Sequence, residues 1–322
     1  MLVYTAQHSE VARTDESLRG IKEFVDDGAG NLVAGTLCGL LRQDEDGVWR
    51  RTPLVKRGRG RDVIQSACGG NGLLFVSKQG SNTPIHRSTD GGRTFGRILC
   101  RARNFDHLFY DTRTDTLATW CWQAHRKLSL AIADASTRTE KIERENDFAP
   151  WPAGVTELAR PRGIHCLHDD HVYSLSDGWF CMVRAPSAEG PWEEFEMEGV
   201  TGPHYSAIAS TGTHLYLATS DGLWRSVDGS AWDKLFASED YFTGLVADSK
   251  GHLVASTQKR LLYTCDDGAT WRSDAPEDAL TGAMHLHDGL LYMAPRAMSG
   301  EPLLTADDHP AIWIVDLAAS SS

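Results

Sequence analysis

The feature that most constrains the fold is a short pattern that returns along the chain. Ser88-Thr89-Asp90-Gly91-Gly92-Arg93-Thr94-Phe95 has the form S-x-D-x-G-x-T-aromatic, and Thr264-Cys265-Asp266-Asp267-Gly268-Ala269-Thr270-Trp271 repeats it with threonine first. Ser226-Val227-Asp228-Gly229-Ser230-Ala231-Trp232 is the same signal one residue short, while Asp44–Trp49 and Ser187–Trp192 keep the turn and the tryptophan. Each part has a physical reason in a hairpin. The carboxylate accepts main-chain N–H bonds inside the turn, glycine supplies positive φ, and the aromatic ring offers a large apolar surface to a neighbour. Asp90, Asp228 and Asp266 are therefore read as structural. A recurring hairpin signal implies a repeat architecture in which each unit buries its faces against the next.

These residues resemble the Asp-box (BNR) repeat of sialidases, sortilin-type receptors and photosystem assembly factors. The resemblance implies a β-propeller, with the turn joining the third and fourth strands of a blade. It also implies that the ligand-binding face lies opposite these turns, around the mouth of the central channel.

Working backwards from each turn predicts an all-β chain forming a single seven-bladed propeller, with six blades as the alternative count. Blade one takes residues 20–25, 32–35, 39–43 and 48–54, blade two 62–99, and blade three 105–142 with a turn at 134–139. Blades four, five and six take 163–197, 204–236 and 241–273, and 144–162 is read as an inserted loop. The last blade has strands at 283–286, 290–293 and 311–317, and residues 2–5 supply its fourth strand. Residues 1–322 then form one domain, with 1–14 as closing strand and N-terminal segment and 315–322 as a tail. Closure of this kind removes exposed sheet edges.

Composition narrows the classes. Hydrophobic residues make up 41% and charged residues 24%, the profile of a folded globular chain. No run of about 18 apolar residues and no basic-then-apolar leader occurs, which points to a cytoplasmic protein without a membrane partner. Seven cysteines, an odd number without CxxC spacing, disfavour a disulfide framework and a structural zinc site. The formal charge of −12 argues against nucleic acid as a partner.

Sorting the loops by face selects the candidate site. Glu23, Asp106, His107, His204 and Tyr205 stand at the starts of inner strands and are the candidate catalytic groups, carboxylates and imidazoles being suited to acid–base work. Arg61, Arg160, Arg162 and Tyr241 are the candidate ligand-binding residues, because guanidinium groups form paired bonds to carboxylate or phosphate. His107, His204 and His309 could together hold a divalent metal if they converge. No other cofactor is indicated.

The inner-strand starts differ from blade to blade, which favours one composite pocket over several equivalent sugar sites. The expected function is binding of an anionic small molecule or glycan at that pocket, with hydrolase or lyase chemistry as the enzymatic form. A non-catalytic scaffold for a protein partner and a histidine-ligated metalloenzyme are the alternatives. Resemblance to sialidases would require an Arg-Ile-Pro segment near the N-terminus. The sequence has none, and Ala159-Arg160-Pro161-Arg162 is in the wrong place to replace it, so sialidase activity is disfavoured.

Overall fold

A computed structural model describes residues 4–7, 21–37, 39–54, 63–79, 84–98, 107–121, 126–131, 148–149, 161–176, 181–188, 190–195, 197–201, 204–237, 241–274, 281–295 and 312–317. Among them are twenty-eight β-strands and no helix. The strands pair into seven four-stranded sheets. In chain order the first is β2 (Ile21–Asp26), β3 (Leu32–Thr36), β4 (Gly39–Gln43) and β5 (Trp49–Thr52). The second is β6 (Ile64–Gly70), β7 (Leu73–Lys78), β8 (Ile85–Ser88) and β9 (Gly96–Ile98). The third is β10 (His107–Asp111), β11 (Thr116–Cys121), β12 (Arg126–Ala131) and β13 (Phe148–Ala149).

The fourth sheet is β14 (Pro161–His168), β15 (His171–Ser176), β16 (Met182–Ala185) and β17 (Glu193–Phe195). The fifth is β18 (Tyr205–Ser210), β19 (Leu215–Thr219), β20 (Gly222–Ser226) and β21 (Asp233–Ala237). The sixth is β22 (Phe242–Ala247), β23 (Leu253–Thr257), β24 (Leu261–Thr264) and β25 (Arg272–Asp274). The last runs β26 (Thr281–His287), β27 (Leu290–Pro295), β28 (Ile312–Asp316) and then β1 (Tyr4–Gln7) as its fourth strand.

The expected bounds of the third blade are corrected by its outer strand. Six sheets have every strand three residues or longer, whereas the third ends in a two-residue strand held by the pairs Lys127↔Ala149 and Leu128↔Phe148. The sequence reading had closed that blade at 142 and taken 144–162 as a loop. Instead, Phe148–Ala149 is its outer strand, and Pro161 already begins the next sheet. The reason is the missing turn signal. Without an aspartate turn to mark the hairpin, nothing in the local sequence locates so short a strand.

In the fifth and sixth sheets burial is greatest in the middle strands and least in the outer one. The second strands β19 and β23 are buried at all five positions, because each is covered on both faces by neighbouring sheets of its unit, and β3 is buried throughout as well. This explains why their sequences are continuous apolar runs, such as Leu215-Tyr216-Leu217-Ala218, rather than alternating. The outer strand β21 is mostly exposed and reads polar at its start.

The chain forms two compact units. One comprises Met1–Thr5, Pro152–Pro295 and Trp313–Ser322, and the other Ala6–Trp151 and Arg296–Ile312. In the N-terminal unit, inner strands β2 and β6 pack together, as do β6 and β10. Val33, Leu40, Ile64, Leu74 and Val76 make the core between its first two sheets. In the C-terminal unit β14, β18, β22 and β26 pack in series. Tyr216, Ala218 and Leu223 meet Phe242, Leu253 and Leu262 in one cluster, so the core sits between sheets. Each fully buried leucine contributes about 1.5–3 kcal/mol.

One irregularity recurs where the strands begin. Pairing of the inner strands with their neighbours skips Lys22, Gln65, Ser206, Thr243 and Gly282, each the second residue of its strand. Such a bulge bends the strand and re-aims the side chains around it. The residue before it is a buried anchor in four of these strands: Ile21, Ile64, Tyr205 and Phe242.

Candidate functional site

Two places in the molecule carry chemistry. The first lies between β2 and β6. Glu23 follows the bulge in β2, where the equivalent positions of β6, β18, β22 and β26 carry Ser66, Ala207, Gly244 and Ala283. A long carboxylate thus stands where other inner strands have small residues. Room for it comes partly from Gly35, whose added Cβ would lie 2.8 Å from Ile64 and 3.4 Å from the Glu23 Cγ.

The Oε1 atom of Glu23 is out of solvent contact and has no hydrogen-bond partner among the described residues. Burial pushes the Glu23 carboxyl up to about 8, against smaller opposing effects of the Ala67 main-chain hydrogen bond and the Lys22 charge. Beside it, burial and then the Glu23 charge hold the Cys68 thiol well above its usual range. Near neutrality both groups are protonated and uncharged. Cys68, Cys166, Cys181 and Cys265 form no disulfide.

The second place is a cleft of about 520 Å³ at the outer turn of the fifth sheet. Glu198, Arg225, Val227, Asp228, Trp232 and Asp233 line it. Its floor is fixed from the fourth sheet. The His168 Nε2–H donates to the main-chain oxygen of Val227 at 2.7 Å, and the Tyr173 hydroxyl donates to that of Asp228 at 3.1 Å. With Nε2 protonated, the His168 Nδ1 accepts from the Ser210 hydroxyl at 2.9 Å. One wall is the segment after β17. Glu198 forms an isolated parallel bridge with Ala231, its N–H donating to Ser230 O at 2.9 Å and its oxygen accepting from Trp232 N at 3.2 Å.

At the rim Val227 is 63% exposed, the most exposed large hydrophobic side chain among the described residues. Arg225 stands across from Tyr216 on one side and Asp233 on the other in the strand pairing. Glu198 and Asp233 are exposed and have no ion-pair partner among the described residues.

The aspartates that define the sequence pattern are bonded inside their turns. The Thr94 N–H and hydroxyl donate to the two Asp90 carboxylate oxygens at 2.9 and 2.5 Å, and Gly92 N–H donates to Ser88 Oγ at 2.9 Å. Thr270 binds Asp266 in the same way at 2.8 and 2.6 Å. In the shorter turn Ser230 N–H donates to Asp228 at 2.9 Å, and Trp232 Nε1–H to Gly229 O at 2.6 Å. These carboxylates are engaged in holding hairpins between third and fourth strands.

The other candidates are spread out. His107 is the half-buried first residue of β10, in the same unit as Glu23. His204, Tyr205, Arg162 and Tyr241 belong to the C-terminal unit. His204 is exposed and Tyr205 buried, in the anchor position that isoleucine or phenylalanine fills elsewhere, with its phenol raised by burial. Tyr241 is 56% exposed at the start of β22, and Arg162 lies in β14. Asp106, Arg61, Arg160 and His309 lie outside the described residues. Among the described residues, neither His107 nor His204 lies in a group of three side chains able to hold a metal ion.

Sequence reasoning passed over the cleft because it sits on the turn side of the sheets. One signal was there. Valine occupies the second position of the turn at 226–232, where the two complete turns carry Thr89 and Cys265.

Comparison with known proteins agrees with this architecture. The family model of the DUF6242 beta propeller domain matches residues 161–283. No curated protein matches the sequence. Among solved structures, YCF48 bound to a D1 peptide is similar with a TM-score of 0.62 at 12% identity, over 97% of this chain and 94% of that one. The RRP9 WD40 repeats give 0.65 at 9% identity, over 98% and 99%. A GH74 xyloglucanase from Xanthomonas campestris gives 0.59 at 15% identity, over 91% of this chain but about half, 52%, of the enzyme. At these identities the likeness shows the fold alone: the chain is an all-β protein of the β-propeller class.

Proposed function

We propose that this chain is a non-catalytic recognition propeller with Asp-box turns, and that it binds a segment of a partner protein at the outer turn of its fifth sheet. One observation carries the reading: a cleft whose backbone floor is pinned by His168 and Tyr173 presents an exposed Val227 beside a buried Trp232. An exposed apolar side chain at the lip of a cleft offers a partner a contact that is already in place. Pinning the turn beforehand lowers the ordering cost of binding.

Two further points support recognition over catalysis. The Glu23 Oε1 is out of solvent contact and burial favours its neutral form, so it suits an internal structural acid better than a group that meets substrate. The similar YCF48 structure contains a bound peptide, an instance of this fold engaging a protein segment. An anionic small molecule or glycan at the strand starts is the weaker reading, because Glu23 and Tyr205, two of the candidate groups there, are held by burial in their neutral forms.

The test is selection of ten-residue unstructured peptides, displayed at random, against the full chain. Selected peptides are expected to bind the native chain and to lose most of their affinity for Val227→Asp, whose exposed side chain leaves folding unaffected. Peptides that bind Val227→Asp as well as the native chain, or a selection that enriches nothing, would overturn the proposal.

A further inference from the structure

Charge around the same cleft indicates what kind of segment fits it. Glu198, Asp228 and Asp233 line it together with one arginine, Arg225. Asp228 is already engaged, since its Oδ1 accepts from Ser230 N–H and, more weakly, from Ala231 N–H and the Ser226 hydroxyl. Arg225 stands directly across from Asp233 in the β20–β21 pairing and is the one arginine or lysine in the lining. Glu198, on the segment after β17, and Asp233, at the start of β21, are exposed, and with Asp228 the carboxylates outnumber the single arginine. The chain as a whole carries a formal charge of −12, which draws cationic partners toward it and repels acidic ones.

We propose that the cleft takes an extended segment bearing a lysine or arginine next to an apolar residue. The cationic head lies between the Glu198 and Asp233 carboxylates, and the apolar neighbour packs against Val227 and the edge of Trp232. Alternation along an extended strand sends adjacent side chains to opposite sides, so a basic–apolar neighbour pair spans the turn with one side chain on the carboxylates and one on the valine. The bridge between Glu198 and Ala231 already shows that extended backbone runs alongside this turn.

This inference rests on the recognition reading, and a single selection separates the two. Ten-residue random peptides are selected on the full chain, then measured against the native chain, Val227→Asp and the double variant Glu198→Gln/Asp233→Asn at low and moderate salt. The expected peptides share a Lys or Arg beside an apolar residue. Their affinity is expected to fall about fivefold in the double variant. It should weaken with salt for the native chain but stay nearly flat for the double variant. Peptides that depend on Val227 but lack a basic residue, or that ignore the double variant, would overturn this inference and leave the recognition reading standing. Peptides indifferent to Val227→Asp would overturn both.

Discussion

The Tyr216 hydroxyl, on the second strand of the fifth sheet, donates a 2.8 Å hydrogen bond to the main-chain oxygen of Asp267 in the outer turn of the sixth. Tyr173 makes the same connection one sheet earlier, to Asp228 O at 3.1 Å. The tyrosines of β15 and β19 thus each fasten the turn that follows in the next sheet. Asp267 returns the connection through its side chain, accepting from Thr211, Thr213 and His214. Burial works against its ionised form, but those three donors outweigh it and hold the carboxyl below the usual range. Tyr216→Phe is expected to cost about 1 kcal/mol, and Asp267→Ala about 2–3 kcal/mol because several donors lose their acceptor together. Urea denaturation of both variants measures this, and an Asp267→Ala cost near zero would show that its side chain adds nothing.

Gly229 shows why the short turn needs glycine. Its φ is +81°, and an added Cβ would lie 2.8 Å from the Tyr173 ring and 3.3 Å from Leu215. Both the backbone conformation and the close approach exclude a side chain. Gly229→Ala is expected to destabilise the chain by about 2–3 kcal/mol through strain and overpacking. By contrast Gly212, with φ +90° and nothing within 4 Å, has the conformational cost alone. A thermal melt in which Gly212→Ala falls as far as Gly229→Ala would remove the packing part of the argument.

Asp266 makes the complete turn sensitive to acid. Bonds from the Thr264 hydroxyl and then from Thr270 lower its carboxyl from 3.8 to about 2. A folded-state value below the unfolded one means that the turn's contribution is present above pH 4 and is lost as pH falls toward 2. Asp266→Asn is therefore expected to be less stable than the native chain at pH 5, with the gap closing at lower pH. Urea midpoints at pH 5, 4, 3 and 2 check the sign, and a gap that widens on acidification would contradict it.

How far the sequence exposes this architecture depends on the kind of signal. The aspartate turns could be read because their chemistry is local: Ser88, Asp90, Gly92 and Thr94 bond one another within seven residues. Second strands such as Leu253–Thr257 could be read because burial on both faces makes them apolar throughout. The outer strand Phe148–Ala149 could not, since it lacks an aspartate turn and pairs at only two positions. Nor could the bulges, which follow from how inner strands crowd together rather than from any residue type: Lys22, Gln65, Ser206, Thr243 and Gly282 share no chemistry. The cleft stayed hidden for a related reason. Its floor is set by His168 and Tyr173 reaching Val227 and Asp228 across more than fifty residues, a pairing that no local pattern announces.

Glu23 was singled out in the sequence as a strand-start carboxylate, and its surroundings make it a proton-dependent element of the inner strands. Its Oε1 lacks a partner, and burial raises the carboxyl from 4.5 to about 8. The folded state therefore holds a proton that the unfolded chain releases above pH 4.5. Glu23 contributes fully below that value, and its contribution declines as pH rises toward 8. Glu23→Gln keeps the shape and a side-chain oxygen to accept from the Ala67 main-chain N–H but cannot ionise. It is expected to melt close to the native chain at pH 4.5 and at least about 4 °C above it at pH 8.5. Comparing the two chains cancels every other titrating group they share. Melting curves that stay parallel from pH 4.5 to 8.5 would mean that the carboxyl ionises freely in the folded state, and the seal between β2 and β6 would then have to be open to water.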